Sequence, residues 1–336
     1  MIRFWELARC AGVDEDEQPF PGMVVPYQGA NVVVLDTEGA DLQVVADHRG
    51  VEIEEFDAAD LRKTLNETNT ELSKPDVDAQ YRASLLPRLV SSYSKPRFFR
   101  IHGKKHVIGF PGAQLQAKSK KKVETTLRVV VLDAMTVKIA IRNVTVRDDQ
   151  GAVVYHAAKP CDPEKERDGM NAVWIPQTNM SFELVPSQSA FIDIRDKATR
   201  TELGKGFGLR DPDSAVFPPE LTPAKMEEVF KKHLVADAAL TFFLVDKLRG
   251  GDSGLTLPSG MAFIRGNHGL TTFAHEAGHF LGGSVVKGAW DDLHHTYDKD
   301  EKKDLRMLMR DGGAGWKIPF KQAELFRGFF KRHTVH

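Results

Sequence analysis

Apolar and polar residues follow a strand-like pattern in the first part of the chain. Between residues 20 and 133, short apolar runs are separated by glycine and other turn residues, which is typical of β-strands. A polar stretch at about 58–94 contains helix-forming residues and two prolines, so it predicts a helical insertion or a long loop. Short strands at this spacing favour an antiparallel β-sandwich. The predicted strands are 32–35, 42–45, 51–53, 97–102, 106–110, 113–117 and 125–132.

The pattern changes near residue 133, where helical and strand spacings begin to alternate. Asp162 followed by Pro163 has the residue types that begin a helix, a cap and then a proline at the first helical position. We therefore predict an α+β protein with a sandwich-like domain at 1–133 and an α/β domain at 134–336. In the second domain, helices are predicted at 163–176, 222–235 and 320–331, and strands at 136–146, 180–184, 239–248 and 261–264.

Composition and charge exclude several classes of protein. The 336 residues include 46 basic and 47 acidic side chains, so the chain lacks the basic surplus that neutralises the phosphates of a nucleic acid. Two cysteines exclude a disulfide-rich scaffold and a four-cysteine zinc module. No apolar run reaches the ~20 residues of a membrane span. Charged residues interrupt the first segment where a signal peptide is apolar, so we expect cytoplasmic synthesis without such a signal.

The candidate chemistry lies in one short segment. His275, Glu276 and His279 form the pattern His-Glu-x-x-His. On a helix, residues four positions apart share one face and lie ~6 Å apart along the axis, so both imidazoles point to one place. This arrangement suits two ligands of a zinc ion, with Glu276 beside them as a general base for a metal-bound water. The spacing therefore predicts a catalytic zinc site.

The same segment resembles the metzincin clan of zinc metallopeptidases, whose longer signature is His-Glu-x-x-His-x-x-Gly-x-x-His. His275, Glu276, His279 and Gly282 match it, whereas Val285 stands at the position of the third histidine. The resemblance implies that Gly282 follows the end of the active-site helix, at a sharp turn of the chain. It also implies a peptidase fold with one catalytic zinc ion for the second domain.

The third metal ligand is expected farther along the chain, as after an insertion. His295 resembles the family pattern because a threonine and a nearby aspartate follow it, and His294 is the alternate ligand. If neither binds, Glu301 is the fallback, as in zinc peptidases with two histidines and a distant glutamate. Residues 307–313 resemble the Met-turn that lies below the metal in this clan. Met309 is then the counterpart of its methionine.

The resemblance also implies how substrate binds. The clan's order is strand, long helix, strand, strand, edge strand and active-site helix, and the edge strand pairs with extended substrate. In this chain that strand is expected at 259–265. Backbone pairing with pockets for alternate side chains allows peptide binding without strict sequence reading. The expected substrate-binding residues are Met261, Ala262, Phe263 and Ile264.

Further candidate residues surround the motif in the sequence. Tyr297 or His268 is a candidate for stabilising the oxyanion of the transition state, and Asp298 is a candidate acceptor that orients His295. Cys10 lies in a segment that resembles the cysteine switch of matrix metalloproteinases, although an ordinary helix cysteine also explains it.

Two classes of function follow from these observations. The first is a zinc-dependent endopeptidase acting on a peptide or protein substrate. The alternative is a binding or delivery protein whose peptidase half is an inactive or structural scaffold. Without a signal peptide, an active peptidase is expected either to have narrow specificity in the cytoplasm or to be an effector or toxin exported by a signal-independent secretion machine. That machine, or an inhibitor or immunity protein, would then be a partner.

Overall fold

A computed structural model describes the chain as two compact units. The first comprises Met1–Thr136, Asp168–Ser181 and Trp316–Arg327, and the second comprises Val137–Arg167, Phe182–Gly315 and Gly328–His336. The protein is α+β, with strands predominating. The predicted boundary at 133 stays a prediction. The structure describes all residues except 1, 6–12, 15–18, 62, 65–94, 110–111, 157–159, 187–190, 196, 198–222, 246–247, 249–252, 258, 270, 283–307, 309–317, 319 and 335–336.

The first unit contains two β-sheets. Their strands are β1 (Arg3–Trp5), β2 (Val13–Asp14), β3 (Gly22–Pro26), β4 (Ala30–Asp36), β5 (Gln43–Ala46), β6 (Val51–Phe56), β7 (Pro96–Gly103), β8 (Ala113–Ser119) and β9 (Lys122–Leu132). One sheet has the order β1-β4-β7-β6 and the other β2-β3-β9-β8-β5. The strand expected at 106–110 is reduced to an isolated bridge between Val107 and Val131.

The two sheets share one hydrophobic core. Phe4 and Val33 of the first sheet and Met23 and Leu115 of the second belong to a single cluster of buried side chains. Two sheets that bury the same cluster pack face to face, which is the arrangement of a sandwich. The pairing differs from the expected antiparallel pattern at one place, because β3 and β9 are parallel. These strands are far apart in the chain, and a long connection allows parallel pairing.

Two helical segments complete the first unit. They belong to α1 (Pro163–Thr178) and α4 (Phe320–Thr334). The rings of Trp174 and Phe326 lie 5.0 Å apart, and both side chains are buried. The main-chain N–H of Ile318 donates to Oε1 of Gln177 at 2.8 Å. The Arg327 guanidinium donates to three main-chain carbonyls, which satisfies its buried charge with hydrogen bonds.

The second unit is built on a seven-stranded sheet. Its main path is β11-β10-β14-β16-β15, with β12 and β13 also pairing with β10. The pairs β10–β14 and β14–β16 are parallel, whereas β15 is antiparallel to β16. The strands are β10 (Met135–Arg147), β11 (Val153–His156), β12 (Met180–Leu184), β13 (Phe191–Ile194), β14 (Leu240–Val245), β15 (Gly254–Leu257) and β16 (Met261–Arg265).

Helices cover both faces of this sheet, as the alternating side chains of β14 show. Phe242 packs against Phe273 of α3 (Thr272–Leu281), with ring centres 5.0 Å apart. Phe243 points the other way and packs against Phe230 of α2 (Pro223–Phe230) at 4.7 Å. Successive strand residues face opposite sides, so α3 and α2 cover opposite faces. No helix in the described part of the chain is long and apolar enough to cross a bilayer.

The helix predictions agree with the structure at their starts. Asp162 accepts a hydrogen bond from the main-chain N–H of Glu164 at 3.0 Å, as expected of a cap. Helix α1 then runs two residues beyond the predicted end. The helix expected at 222–235 is shorter, because a 3-10 turn at Lys231–His233 follows α2. Strand β15 was not predicted at all.

Candidate metal centre

Helix α3 carries His275, Glu276 and His279 and is packed against the sheet. Its apolar side chains Phe273, Ala274, Ala277 and Leu281 are buried, so packing holds the helix against the sheet. The helix ends at Leu281, one residue before Gly282, as the resemblance implies. The backbone of Gly282 has φ −83°, a right-handed conformation that does not itself require glycine.

The structure brings the three motif side chains together. One ligand atom from each of His275, Glu276 and His279 lies within 4.8 Å of the others, and no further cluster of this kind occurs among the described residues. The Nε2 atoms of His275 and His279 are 2.9 Å apart, with their rings nearly perpendicular at 85°. Two nitrogens bound to one zinc at about 2.1 Å each can be at most ~4.2 Å apart. The observed separation satisfies this limit.

A main-chain carbonyl sets the tautomer of His275. Nδ1 of His275 lies 2.5 Å from the carbonyl oxygen of Leu308, and both residues are buried. A carbonyl only accepts, so Nδ1 carries a proton, and in the neutral form of the ring this leaves the lone pair on Nε2. A metal-ligating histidine needs this state, and its second nitrogen commonly donates to such an acceptor. Leu308 precedes Met309 in the segment that resembles the Met-turn, and its carbonyl is the one group of that segment for which the structure describes a contact with the motif.

Strand β15 contacts the third member of the motif, Glu276. The hydroxyl Oγ1 of Thr256 lies 2.7 Å from Oε2 of Glu276 and 3.0 Å from its main-chain oxygen. Two residues earlier, a Cβ added at Gly254 would overlap the Glu276 carboxylate. Residues two apart on a strand share a face, so both positions of β15 face the carboxylate. Glu276 is only 4% exposed, so the carboxylate is surrounded by protein atoms, and Gly254 and Thr256 are among its neighbours.

The predicted substrate strand needs correction. Residues Met261, Ala262, Phe263 and Ile264 are buried and lie in β16, an internal strand. β16 pairs with β14 on one side and with β15 on the other, so its main-chain groups already have partners. These four residues therefore cannot take up a substrate strand by backbone pairing. β15 ends the sheet among the strands that the structure describes.

Strand β15 was missed from the sequence because alternation over only four residues is a weak signal of a strand. Its residues Gly254–Leu257 include only two large apolar side chains. A signal was present in the residues that follow, Pro258, Ser259 and Gly260, which are typical of a hairpin turn. Gly260 has φ +77°, a conformation that favours glycine. Recognising this turn identifies β15, and with it Gly254 and Thr256.

His268 lies beside α3 in a different environment. Its Nε2 is 3.8 Å from Oε1 of Glu166, and its ring stands edge-on against Phe273 at 5.1 Å. Burial raises the pKa of Glu166, and the nearby His268 opposes that shift. The described contacts of His268 are thus with α1 and the start of α3, and its role at an oxyanion stays a prediction.

Cys161 is a structural thiol. The Asn143 side chain accepts from its main-chain N–H at 2.9 Å and donates to its carbonyl at 3.3 Å. Burial raises the pKa of the Cys161 thiol to about 12, with the nearby Glu166 adding to the shift. Thiol reactivity requires the thiolate, so Cys161 is poorly reactive at neutral pH.

The remaining predicted site residues lie outside the described part of the chain. The third metal ligand and the Met-turn methionine therefore stay predictions, as do the roles of the residues proposed to support them. These residues are Cys10, His294, His295, Tyr297, Asp298, Glu301 and Met309.

Comparisons with known proteins do not assign a family. No family model matches the chain, and no curated protein matches it. A solved structure described as "Structure of a chaperone-substrate complex" aligns with 15% identity and a TM-score of 0.23. The alignment covers 54% of this chain and 28% of that chain.

Proposed function

We propose that this protein is a zinc-dependent endopeptidase. His275 and His279 hold the metal in this proposal, and Glu276 is the general base. The observation that carries it is the pair of helix imidazoles, whose Nε2 atoms lie 2.9 Å apart while a carbonyl holds the proton of one ring on Nδ1. Both nitrogens that would ligate the metal therefore lie at one place, and the Leu308 carbonyl orients one of the two rings.

The donor set fits zinc. Two imidazole nitrogens are common zinc ligands, and a catalytic site adds a third protein ligand and leaves one position open. His295 is the preferred third ligand, with His294 as the alternate. When bound, zinc polarises the substrate carbonyl and lowers the pKa of water towards ~7.

Glu276 supplies the proton transfers. Its carboxylate is next to the His275 imidazole and inside a largely buried site, where it accepts a proton from the attacking water. The same carboxyl group then passes that proton to the leaving amine nitrogen. Both transfers need a carboxylate that is close to the reacting atoms and oriented in advance.

The order of elements in the chain supports the metzincin resemblance. In chain order, β10, α1, β13, β14 and β15 precede α3, as strand, long helix, strand, strand, edge strand and helix do in the clan, and β11, β12, α2 and β16 are additional elements between them. The strand proposed to pair with substrate is therefore β15, which ends the sheet among the described strands and contacts Glu276 through one of its faces. Strand addition at a sheet edge gives binding through the main chain of a peptide.

Metal analysis and peptide cleavage test the proposal together. We expect the full chain to hold about one zinc ion and to cleave members of a peptide library read by mass spectrometry. Glu276→Gln is expected to keep zinc and lose cleavage, and His275→Ala to lose both. His106→Ala, at an exposed histidine of the first unit, is the matched control and should change neither.

Two outcomes separate the remaining questions. A full chain that binds no zinc and cleaves nothing refutes the peptidase and favours the binding or delivery protein. If zinc is bound, comparing His295→Ala with His294→Ala identifies the third ligand, because only the true ligand's loss should lower zinc affinity by more than the roughly 10- to 100-fold that losing a hydrogen-bond partner of a ligand costs.

A further inference from the structure

We propose that Thr256 is a positioning residue for the Glu276 carboxylate. This inference rests on the proposed function, because it assigns a role towards the same general base. Its starting point is that the Thr256 hydroxyl meets Glu276 twice, at the carboxylate (2.7 Å) and at the main-chain oxygen (3.0 Å). Sequence motifs around α3 give no indication of this contact, since it comes from another strand.

The geometry gives the hydroxyl one proton and two acceptors. A bond to an ionised carboxylate is stronger than one to a carbonyl, so the Glu276 side chain is the favoured partner. Threonine is branched at Cβ and has restricted χ1 freedom, so its hydroxyl direction is well defined. β15 is in turn held by its pairing with β16, where Thr256 is opposite Ala262. The carboxylate is therefore oriented from outside its own helix.

Gly254 provides a second, independent constraint on the same carboxylate. Because it has no side chain, it leaves the space that the Glu276 carboxyl group occupies. Leu255 and Leu257 alternate with these two positions, and both pack with the core cluster on the opposite face of the sheet. Thus the two leucines on one face of β15 pack the strand into the core. On the other face, the Thr256 hydroxyl donates to the Glu276 carboxylate, and Gly254 leaves the space that this carboxylate fills.

This arrangement lets Glu276 move while the Thr256 hydroxyl keeps a hydrogen-bond acceptor. When the carboxylate turns to take a proton, the Thr256 hydroxyl can donate to the main-chain oxygen 3.0 Å away. A partly buried donor left without an acceptor would oppose that movement. The role therefore concerns the rate of the chemical step, and it predicts an effect on kcat with little effect on KM.

Three substitutions test the role in the full chain. Thr256→Val keeps the shape and removes the donor, and we expect kcat to fall about tenfold with KM within about twofold. Thr256→Ser keeps the donor and should recover kcat to within about threefold of the wild type. Thr37→Val is the matched control, because it removes a hydroxyl that donates to a main-chain carbonyl at 3.0 Å in the first unit. It should leave both constants of the folded protein unchanged.

A double-mutant cycle supplies a readout that does not need activity. Urea unfolding of the full chain is measured for the wild type, Thr256→Val, Glu276→Ala and the double variant at one fixed metal concentration. Thr256→Val should raise the equilibrium constant of unfolding in both backgrounds. Because the contact is already lost in Glu276→Ala, the factor by which it rises there should be about fivefold smaller than in the wild type.

The outcomes distinguish this inference from the proposed function. Equal effects of Thr256→Val in both backgrounds overturn the inference, as does a Thr256→Ser variant that is as slow as the valine variant. If Glu276→Gln remains fully active, the proposed function fails, although the unfolding cycle still tests the contact itself.

Discussion

One methyl group at Gly254 should disable the site without unfolding the protein. An added Cβ would overlap Oε1 of Glu276 and lie 2.5 Å from its Cδ and 2.6 Å from its Cγ. Ordinary contact begins at 3.4 Å, so the carboxyl carbon must move by about 0.9 Å, the difference between 3.4 Å and 2.5 Å. Gly254→Ala therefore displaces the proposed base by nearly 1 Å.

That displacement should lower the rate of peptide cleavage. A misplacement of ~1 Å at reacting groups costs about 100-fold, which corresponds to about 2.7 kcal/mol of transition-state stabilisation. We expect kcat/KM of Gly254→Ala to fall by about this factor. Stability should change little, because the obstructing atoms belong to one side chain and not to the backbone, and because alanine restricts the unfolded chain more than glycine does.

The assay is cleavage of a fluorescence-quenched peptide at saturating zinc, with zinc content and Tm measured on the same samples. Gly328→Ala in α4 is the matched control, since nothing lies within 4 Å of its added Cβ. It should leave the rate unchanged and raise the free energy of unfolding by about 0.5–1 kcal/mol. A Gly254→Ala variant within threefold of the wild-type kcat/KM refutes the reasoning, and so does one that loses activity only because it has unfolded.

Three further predictions concern the metal, the core and the partly buried thiol of Cys161. Chelation should abolish cleavage and added zinc should restore it, whereas His279→Ala should not recover; activity that persists after complete zinc removal contradicts this. Phe326→Ala, which removes the ring packed on Trp174, should lower the free energy of unfolding in urea by about 3–5 kcal/mol, and a loss below about 1 kcal/mol would show that this contact contributes little. The peptide containing Cys161 should be alkylated slowly in the native protein at pH 8 and quickly after denaturation. Because its pKa is raised to about 12, the native rate should rise about tenfold per pH unit up to pH 10 without a plateau, and a plateau near pH 8 would contradict the assignment.

Local sequence signals predicted the helices and the spacing of the motif. Asp162 and Pro163 mark the start of α1 because capping and the fixed φ of proline act within a few residues. The i, i+4 spacing of His275 and His279 predicted their convergence because helix geometry is the same in any context. The short strand β15 escaped prediction because its four residues are too few for a periodic signal.

The sequence by itself therefore determined the helix that bears the two histidines, the glutamate beside them and the α+β class, since all of these depend on local spacing. Only the tertiary structure decided that β16 is internal, that β15 ends the described sheet and that Thr256 and Gly254 contact Glu276. It also decided that the Leu308 carbonyl holds the proton of His275. The reason is physical: strand neighbours and the partners of buried polar groups are chosen by packing between segments distant in the chain, which no local pattern encodes.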